Sequence, residues 1–565
     1  MYDTKGNVDQ VKKLFFVSMV SIFCVYLYSI FFIDEPKKKA PSSVKNQKEI
    51  EIEDRSRITL TSTKDAISEL NKNHLVRFEN DKIEGFINPK GLKIESLVLK
   101  NYRKENSIES VNFLNPANSF DMNYINIGWT SDDSSIRLPD KDTTWSFDKN
   151  IIKDGKHSIL SWSNGAGLKF IVDVSLDKNY MFHFETKVIN NTSKNVNIKA
   201  YGRVKKIFNN KSGGSYHEGA LFNLGQKVEE VSYSDIEKAS KSYDEMIEGW
   251  IGLSDKYWLS AFIFDDHIEK KTTFRVSKKP EFINSKNIMH QLDFVTHDVS
   301  IKPNSSFDHG FYLFSGAKEI ELIEQYQKNM KIHLFDRSVD FGYLYFLTKP
   351  ILKFLKYINA FTSNFGWSII ILTIIIRVIL FPLANKSYKS MSGMRKLAPE
   401  LSALKDKYKD DKKSMNMAIV TLYKAHNINP ASGCLPLLLQ IPVFFALYKV
   451  LIISIDLRDA PFIWWIKDLS ERDHTSMFNA FGLIPFDVPS FMQIGVLPLL
   501  MCLTMVLQQK FSPQPTDPSQ AMVMKTMPYV MTIMFSSFPS GLMVYWIISN
   551  TFSIVQQYIL SKKSL

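Results

Sequence analysis

The long apolar run from Asn364 to Leu383 holds one cation, Arg377, and Thr373 stands one turn before it on the same helical face. A guanidinium well inside a membrane helix costs about 2.5–3.5 kcal/mol on insertion scales, so such a charge normally faces a wet cavity. Gln440, Trp546 and Asn550 put further polar or amphipathic groups into other apolar segments, and with Thr373 and Arg377 they could line a partly hydrated cavity inside a bilayer. The chemistry open to this set is non-covalent: charge attraction and hydrogen bonding. Plainer readings stand beside it. Arg377 could snorkel toward the basic segment that follows, and Gln440 and Asn550 could simply bond helix to helix. Lys449, a second cation in an apolar run, sits near the outer end and is expected to snorkel.

What is missing narrows the function class. No Asp or Glu falls inside any of the last five apolar segments, so the acidic relay of proton- or sodium-coupled transporters is absent. There is no Walker loop, no His-Glu-x-x-His and no Gly-x-Ser-x-Gly, and Gly165 and Gly167 after Ser163-Asn164 read as a turn. The membrane part is therefore read as no enzyme, with no catalytic residue, cofactor or metal. Cys24, Cys434 and Cys502 lie in or beside apolar runs without a pairing or metal-ligand spacing. The net charge of +12 is concentrated in loops that flank apolar spans. That pattern points to topology determinants and lipid headgroups, with no specific nucleic acid.

The elements that must carry these residues fall into two kinds. Leu14 to Ile33, preceded by Lys12 and Lys13, reads as an uncleaved membrane anchor with its N-terminus in the cytoplasm, followed by a polar tether. From about His74 to Ser315 short alternating runs are broken by turn residues: Leu75 to Phe78, the positions Leu92, Ile94 and Val98, Phe170 to Val174, Met181 to Val188, Val196 to Val204, and Trp258 to Phe264. This describes a large antiparallel β-sandwich, closed by a helix over Glu319 to Lys331. Asp340 to Thr362 reads as an amphipathic helix with Lys349, Lys353 and Lys356 on one face and Pro350 in its first turn, lying on the membrane surface or packed on the sandwich. Asn385 to Pro430 is strongly basic, hence cytoplasmic, and its apolar spacing at Leu397, Leu401, Leu404, Tyr408, Met415, Ile419 and Leu422 predicts a two-helix hairpin kinked at Pro399. Four more apolar segments follow: Leu435 to Ile453, Ile494 to Leu507, Met527 to Phe538, and Leu542 to Leu560. The loop Asp456 to Ser490 carries more acids than bases, as an outside loop should, and Lys562-Lys563 marks an inside end.

Several motifs occur in order after residue 340: Asn364 to Arg377 with Pro382, Leu-Tyr-Lys-Ala at 422–425, Asn-Pro-x-x-Gly-Cys-x-Pro-Leu at 429–437, Gln-x-Pro from Gln440, Leu-Arg-x-Ala-Pro-Phe at 457–462, and Phe-Pro-Ser-Gly-Leu at 538–542 with Ser549-Asn550. They resemble the YidC/Oxa/Alb family of membrane protein insertases, and the anchor and β domain are similar in arrangement to its Gram-negative form. The resemblance implies a polytopic α-helical membrane protein of six transmembrane helices with a five-helix insertase core and an inserted all-β periplasmic sandwich. The implied organisation is an anchor at 1–33, a tether at 34–54, a periplasmic domain at 55–338, an interfacial helix at 339–363 and the core at 364–565 with a cytoplasmic hairpin at 385–430.

It further implies a groove open to cytoplasm and lipid in the bacterial inner membrane, with Arg377 inside it and Thr373 and Trp546 touching substrate. Trp546 departs from a tyrosine expected at that position. The implied partners are nascent membrane proteins, the Sec translocon, membrane lipids, and the ribosome through the hairpin and the loop Phe511 to Lys525, the short tail being unsuited to that contact. A small-molecule or ion transporter is the alternative. A third reading makes the outer domain a mutarotase-like sugar-processing unit, although no paired carboxylate and histidine stand at a recognisable spacing.

Overall fold

The computed structural model describes residues 60–563 except 72–73, 105–106, 154, 208–215, 224, 226, 244–248, 265–271, 280–287, 410, 427, 429–434, 483, 485–487, 489–492 and 512–517. The expected anchor and tether, Cys24 and Cys434 lie outside the described residues. The chain divides between Asp340 and Phe341 into two compact units.

The first unit is β-rich. Its central strands are β1 (Ile83–Asn88), β2 (Lys93–Arg103), β3 (Asn123–Thr130), β4 (Leu168–Leu176), β5 (Met181–Asn190), β6 (Val196–Ile207), β7 (Trp250–Ser254), β8 (Trp258–Phe264), β9 (Thr273–Lys279), β10 (Met289–Val295) and β11 (Ser305–Ala317). One sheet runs β9-β10-β6-β3-β2-β1 through its middle and the other β7-β8-β11-β5-β4. Strand β4 shows why: Leu168, Phe170, Val172, Val174 and Leu176 are buried on one side, and the residues between them are more exposed. The inner faces meet through aromatic rings. Phe262 of one sheet lies edge-on to Phe294 of the other at 5.0 Å, and Phe182 meets Phe78 in the same manner at 5.0 Å. Gly202 leaves room for this layer, since a Cβ there would stand 2.3 Å from the Phe294 ring. The closing helix runs Ile320–Asn329.

One stretch differs from the alternation expected at Leu92, Ile94 and Val98. Ile94 is buried, but beyond it Leu97 and Leu99 face the core and Val98 does not. The register with β1 shifts between Phe86 and Ile87, pairing them with Ser96 and Ile94, so Glu95 is an extra residue. A bulge inverts the side-chain phase of everything after it.

His309 on β11 has both ring nitrogens buried without a partner. Burial, with nearby His297, pushes its imidazole down to about 4 from 6.5. Below pH 6.5 the unfolded chain takes up a proton that the folded chain refuses, so stability is lost as pH falls toward 4. Urea unfolding should show about 2 kcal/mol less stability at pH 5 than at pH 7 from this group, and His309→Phe should flatten that slope. An unchanged slope in the variant rejects the assignment to His309.

The second unit is helical: α1 (Tyr345–Thr362), α2 (Phe365–Lys396), α3 (Ala398–Lys407), α4 (Lys412–Ala425), α5 (Leu435–Ile453), α6 (Val496–Phe511), α7 (Pro518–Phe535) and α8 (Ser540–Lys563). Helix α1 starts at Tyr345 rather than Asp340 because Gly342 takes φ +68°, outside the right-handed helix. Pro350 therefore falls in the second turn, where its missing N–H leaves the Phe346 carbonyl without a helical donor. The aliphatic face, Ile351, Leu352, Leu355 and Ile358, packs on α2 and α5, and the face turned outward is aromatic as well as basic, with Phe346, Tyr357 and Phe361 exposed beside Lys353. Lys356 instead pairs with Asp456 at 2.9 Å.

The expected hairpin kink resolves into a break. Helix α2 continues to Lys396, and Pro399 sits in the first turn of a new helix, α3, where its missing N–H leaves no bond unmade. Asp411 then opens α4 by accepting from the Lys413 and Ser414 amides at 3.1 and 3.2 Å.

Among the described residues one helical stretch, Phe365–Met394, is long and apolar enough to cross a membrane, and Leu439–Ile453, Val496–Phe511 and Ala521–Phe535 are shorter apolar helices.

Candidate functional site

Helix α2 starts where Asn364 accepts from the Gly366 amide at 2.9 Å, an N-cap that fixes the rotation of all that follows. Trp367, Ile371, Ile374, Val378 and Phe381 are exposed at spacings of three and four, while Ile369, Leu372 and Thr373 are buried. An exposed apolar stripe on a helix of this length suits lipid better than water. Arg377 lies beside that stripe, half-buried, and faces α8.

In α8, Tyr545, Ser549, Ser553 and Gln556 recur at spacings of four, four and three, and all are buried. That polar stripe meets α2 directly. Ser549 Oγ accepts from Arg377 Nε at 2.8 Å and also from Nη2. Gln440 of α5 approaches the same hydroxyl at 3.1 Å and the Tyr545 hydroxyl at 2.6 Å through Nε2. With the amide nitrogen turned that way, Ser549 Oγ receives three donors against two lone pairs; turning the amide lets both hydroxyls donate to Oε1 and frees Ser549 to accept the Arg377 fork. Two turns further along α2, Gln556 Nε2 donates to Asn385 Oδ1 at 2.7 Å, so the polar seam between α2 and α8 spans about 12 Å of helix.

Arg377 has no carboxylate partner among the described residues, and its cluster is made of neutral groups. A guanidinium carries five N–H donors. Nε and Nη2 are spent on Ser549.

The five residues singled out in the sequence do not form one cluster. Arg377 and Gln440 meet at Ser549. Thr373 is fully buried and donates to its own helix, to Ile369 O at 2.6 Å. Asn550 Nδ2 donates to Thr504 Oγ1 of α6 at 3.1 Å, a bond between helices. Trp546 packs its ring on Phe444 at 5.0 Å and Phe535 at 5.3 Å, and its indole N–H is buried without a hydrogen-bond partner. Tyr545, one residue earlier, reaches the Gln440 amide instead. Sequence reasoning passed over Tyr545 and Ser549, although the polar spacing from 545 to 556 in an otherwise apolar segment is a legible signal. Ser549→Ala should leave the Arg377 donors unpaired at a cost of about 1–3 kcal/mol, read as a lower unfolding temperature. An unchanged temperature means another acceptor replaces the hydroxyl.

Two family models match the chain: residues 357–565 match the 60Kd inner membrane protein family and residues 75–354 match the YidC periplasmic domain. The chain is 39% identical over 560 residues to the membrane protein insertase YidC of Rickettsia bellii (strain OSU 85-389), covering 98% of this chain and 99% of the relative. It is 39% identical over 561 residues to the protein of that name from Rickettsia conorii (strain ATCC VR-613 / Malish 7), with 98% and 99% covered. A crystal structure of an active YidC insertase with its first transmembrane domain resolved is similar at 17% identity and a TM-score of 0.36, over 86% of this chain and 92% of that one. With near-complete coverage at that level of identity, and with a model matched in each unit, the chain belongs to the YidC family of inner-membrane protein insertases.

Proposed function

We propose that this insertase works through a groove beside α2 and α8 in which Arg377 transiently attracts acidic residues of a nascent hydrophilic segment. The observation that carries this is a guanidinium in an apolar helix, held by the Ser549 hydroxyl that the Gln440 amide also meets, with no carboxylate partner among the described residues. A polar groove partway into the bilayer shortens the apolar distance such a segment must cross. The substrate's own apolar helix then moves into lipid, and its burial drives the step without a nucleotide.

In this reading the chain spans the inner membrane six times with both termini in the cytoplasm. Residues 55–338 lie in the periplasm, 339–363 lie at the interface, and the 385–430 hairpin faces the cytoplasm. Trp546 lines the groove wall, Thr373 packs behind that wall with its hydroxyl on its own helix, and Asn550 ties the helices together. Helices shorter than the bilayer are accommodated by local thinning or by shielding neighbours. The Sec translocon, the ribosome through the hairpin, and membrane lipids are the proposed partners beyond the substrate. A coupled transporter has no support, since α2 and α5 to α8 contain no Asp or Glu.

The test is insertion of a single-span substrate into vesicles holding only this purified protein, scored by protease protection. Protection that requires the protein and no nucleotide is the expected result. Absence of protection with every substrate tried would favour an assembly partner of the translocon instead.

A further inference from the structure

The most exposed tryptophan among the described residues stands on a turn rather than on a helix. Trp464 is 84% exposed and takes φ +54°. A positive φ is an outlier for a bulky side chain, and an apolar ring of that size left in water forgoes the free energy of burial. The turn that holds it is closed twice: the Ile466 amide donates to the Ile463 carbonyl at 3.1 Å, and the Phe462 amide donates to the Ile466 carbonyl at 3.0 Å. Its base is tied down as well. Leu457 and Leu469 are fully buried, and the Leu469 amide donates to the Ala460 carbonyl at 3.0 Å. The fold therefore holds the indole outward, stacked on the neighbouring Trp465 with ring centroids 5.8 Å apart.

What the turn lies against fixes its place. Asn364, which caps α2, donates through Nδ2 to the Pro461 carbonyl at 3.2 Å, and Phe462 meets Trp367 edge-on at 5.5 Å. Gly366 makes that contact possible, since a Cβ there would stand 2.0 Å from the Phe462 ring. Trp367 is the first residue of the exposed apolar stripe of α2, so the turn continues that stripe past the start of the helix. Helix α1 brings Tyr357 and Phe361, both exposed and with ring centroids 5.1 Å apart, to the point where the chain enters α2. Tryptophan and tyrosine favour the headgroup layer of a bilayer, where an apolar ring and a polar N–H or O–H are both satisfied.

We propose that the 463–466 turn is an anchor seated in the headgroup layer, with Trp464 as its inserted residue and phospholipid as its partner. This rests on the reading that α2 crosses the membrane. The anchor sets the depth of that helix. With Trp367 at the boundary of the hydrocarbon, Arg377, ten positions further along α2, lies about 15 Å deeper, near the middle of a core about 30 Å thick.

The experiment places the full chain in vesicles of phosphatidylcholine and phosphatidylglycerol, with acyl chains brominated near either the glycerol or the methyl end, and reads tryptophan fluorescence. The spectrum lost in Trp464→Phe is the Trp464 component. It should be quenched at least about twofold more by bromine near the glycerol than by bromine near the methyl end, and be shielded from iodide present on both sides. Trp464→Gly, which accepts the positive φ, should remove the same component and serves if the phenylalanine variant does not fold. Iodide quenching as strong as that of free N-acetyltryptophanamide overturns the proposal, since the turn then faces water. Shielding from iodide without quenching by either lipid overturns it in favour of a protein contact, and equal or stronger quenching from the methyl end overturns it in favour of a buried span. Trp367→Phe separates this result from the reading it rests on. If the Trp367 component is quenched by bromine and the Trp464 component is not, the anchor alone fails; if neither is quenched, α2 does not cross the bilayer and both fail.

Discussion

Arg377→Ala is expected to lower insertion of a substrate with acidic residues in its translocated segment by at least about tenfold, and to leave an otherwise identical substrate without them within about twofold. The difference between substrates follows from the partners of the guanidinium. Its hydrogen bonds go to a single neutral hydroxyl, Ser549 Oγ, at 2.8 Å from Nε. No intramolecular ion pair has to break before a carboxylate enters. At a separation of about 4 Å and an effective dielectric near 20, two unit charges attract by about 4 kcal/mol before desolvation is subtracted, and about 1.4 kcal/mol is a factor of ten. Arg377→Lys should recover part of the effect, since the charge survives and the fork is lost. Protease protection of the two substrates in reconstituted vesicles measures it. Equal loss for both substrates would mean that Arg377 holds the helices together rather than attracting cargo.

Trp250→Ala is expected to destabilise the β-rich unit by about 4 kcal/mol, most of the 5–15 kcal/mol typical of a folded domain at the lower end. Trp250 is fully buried on β7, meets Phe335 edge-on at 5.3 Å, and donates its indole N–H to the His333 carbonyl at 3.1 Å. The alanine leaves a large cavity and removes one of the two donors that the His333 carbonyl accepts, the other being Asn223 Nδ2 at 2.7 Å. Urea unfolding followed by tryptophan fluorescence, with limited proteolysis alongside, reads the loss. A midpoint within error of wild type would show that the surrounding rings collapse into the space.

Much of the architecture is legible in the chain because each feature is local. The alternation of Leu168 to Leu176 defines a strand with one buried face, and the uninterrupted apolar run around Arg377 defines a helix long enough to cross a membrane. The charged run Asp410-Asp411-Lys412-Lys413, read in the sequence between two apolar repeats, announces separate helices, α3 and α4. The phase after Glu95 was not legible, because a bulge is decided by how β2 pairs with β1 and leaves no mark in the periodicity of either strand. Nor was the outward face of α1, where the aliphatic side of the helix is taken up by α2 and α5 and the aromatic side is left exposed.

The site divides in the same way. The sequence by itself determined that a cation sits in an apolar helix, that Gln440, Trp546 and Asn550 put polar or amphipathic groups into other apolar segments, and that the motifs from Asn364 to Asn550 resemble those of an insertase family. Only the tertiary structure decided which of these meet. Ser549 lies 172 positions from Arg377, and the contact exists because α8 packs against α2. Tyr545 rather than Trp546 reaches Gln440 because neighbouring residues on a helix point about 100° apart, and the rotation of α8 is set by its packing partners. Periodicity names the residues that share a face, but the partner of that face is chosen by the close packing of helices distant in the chain.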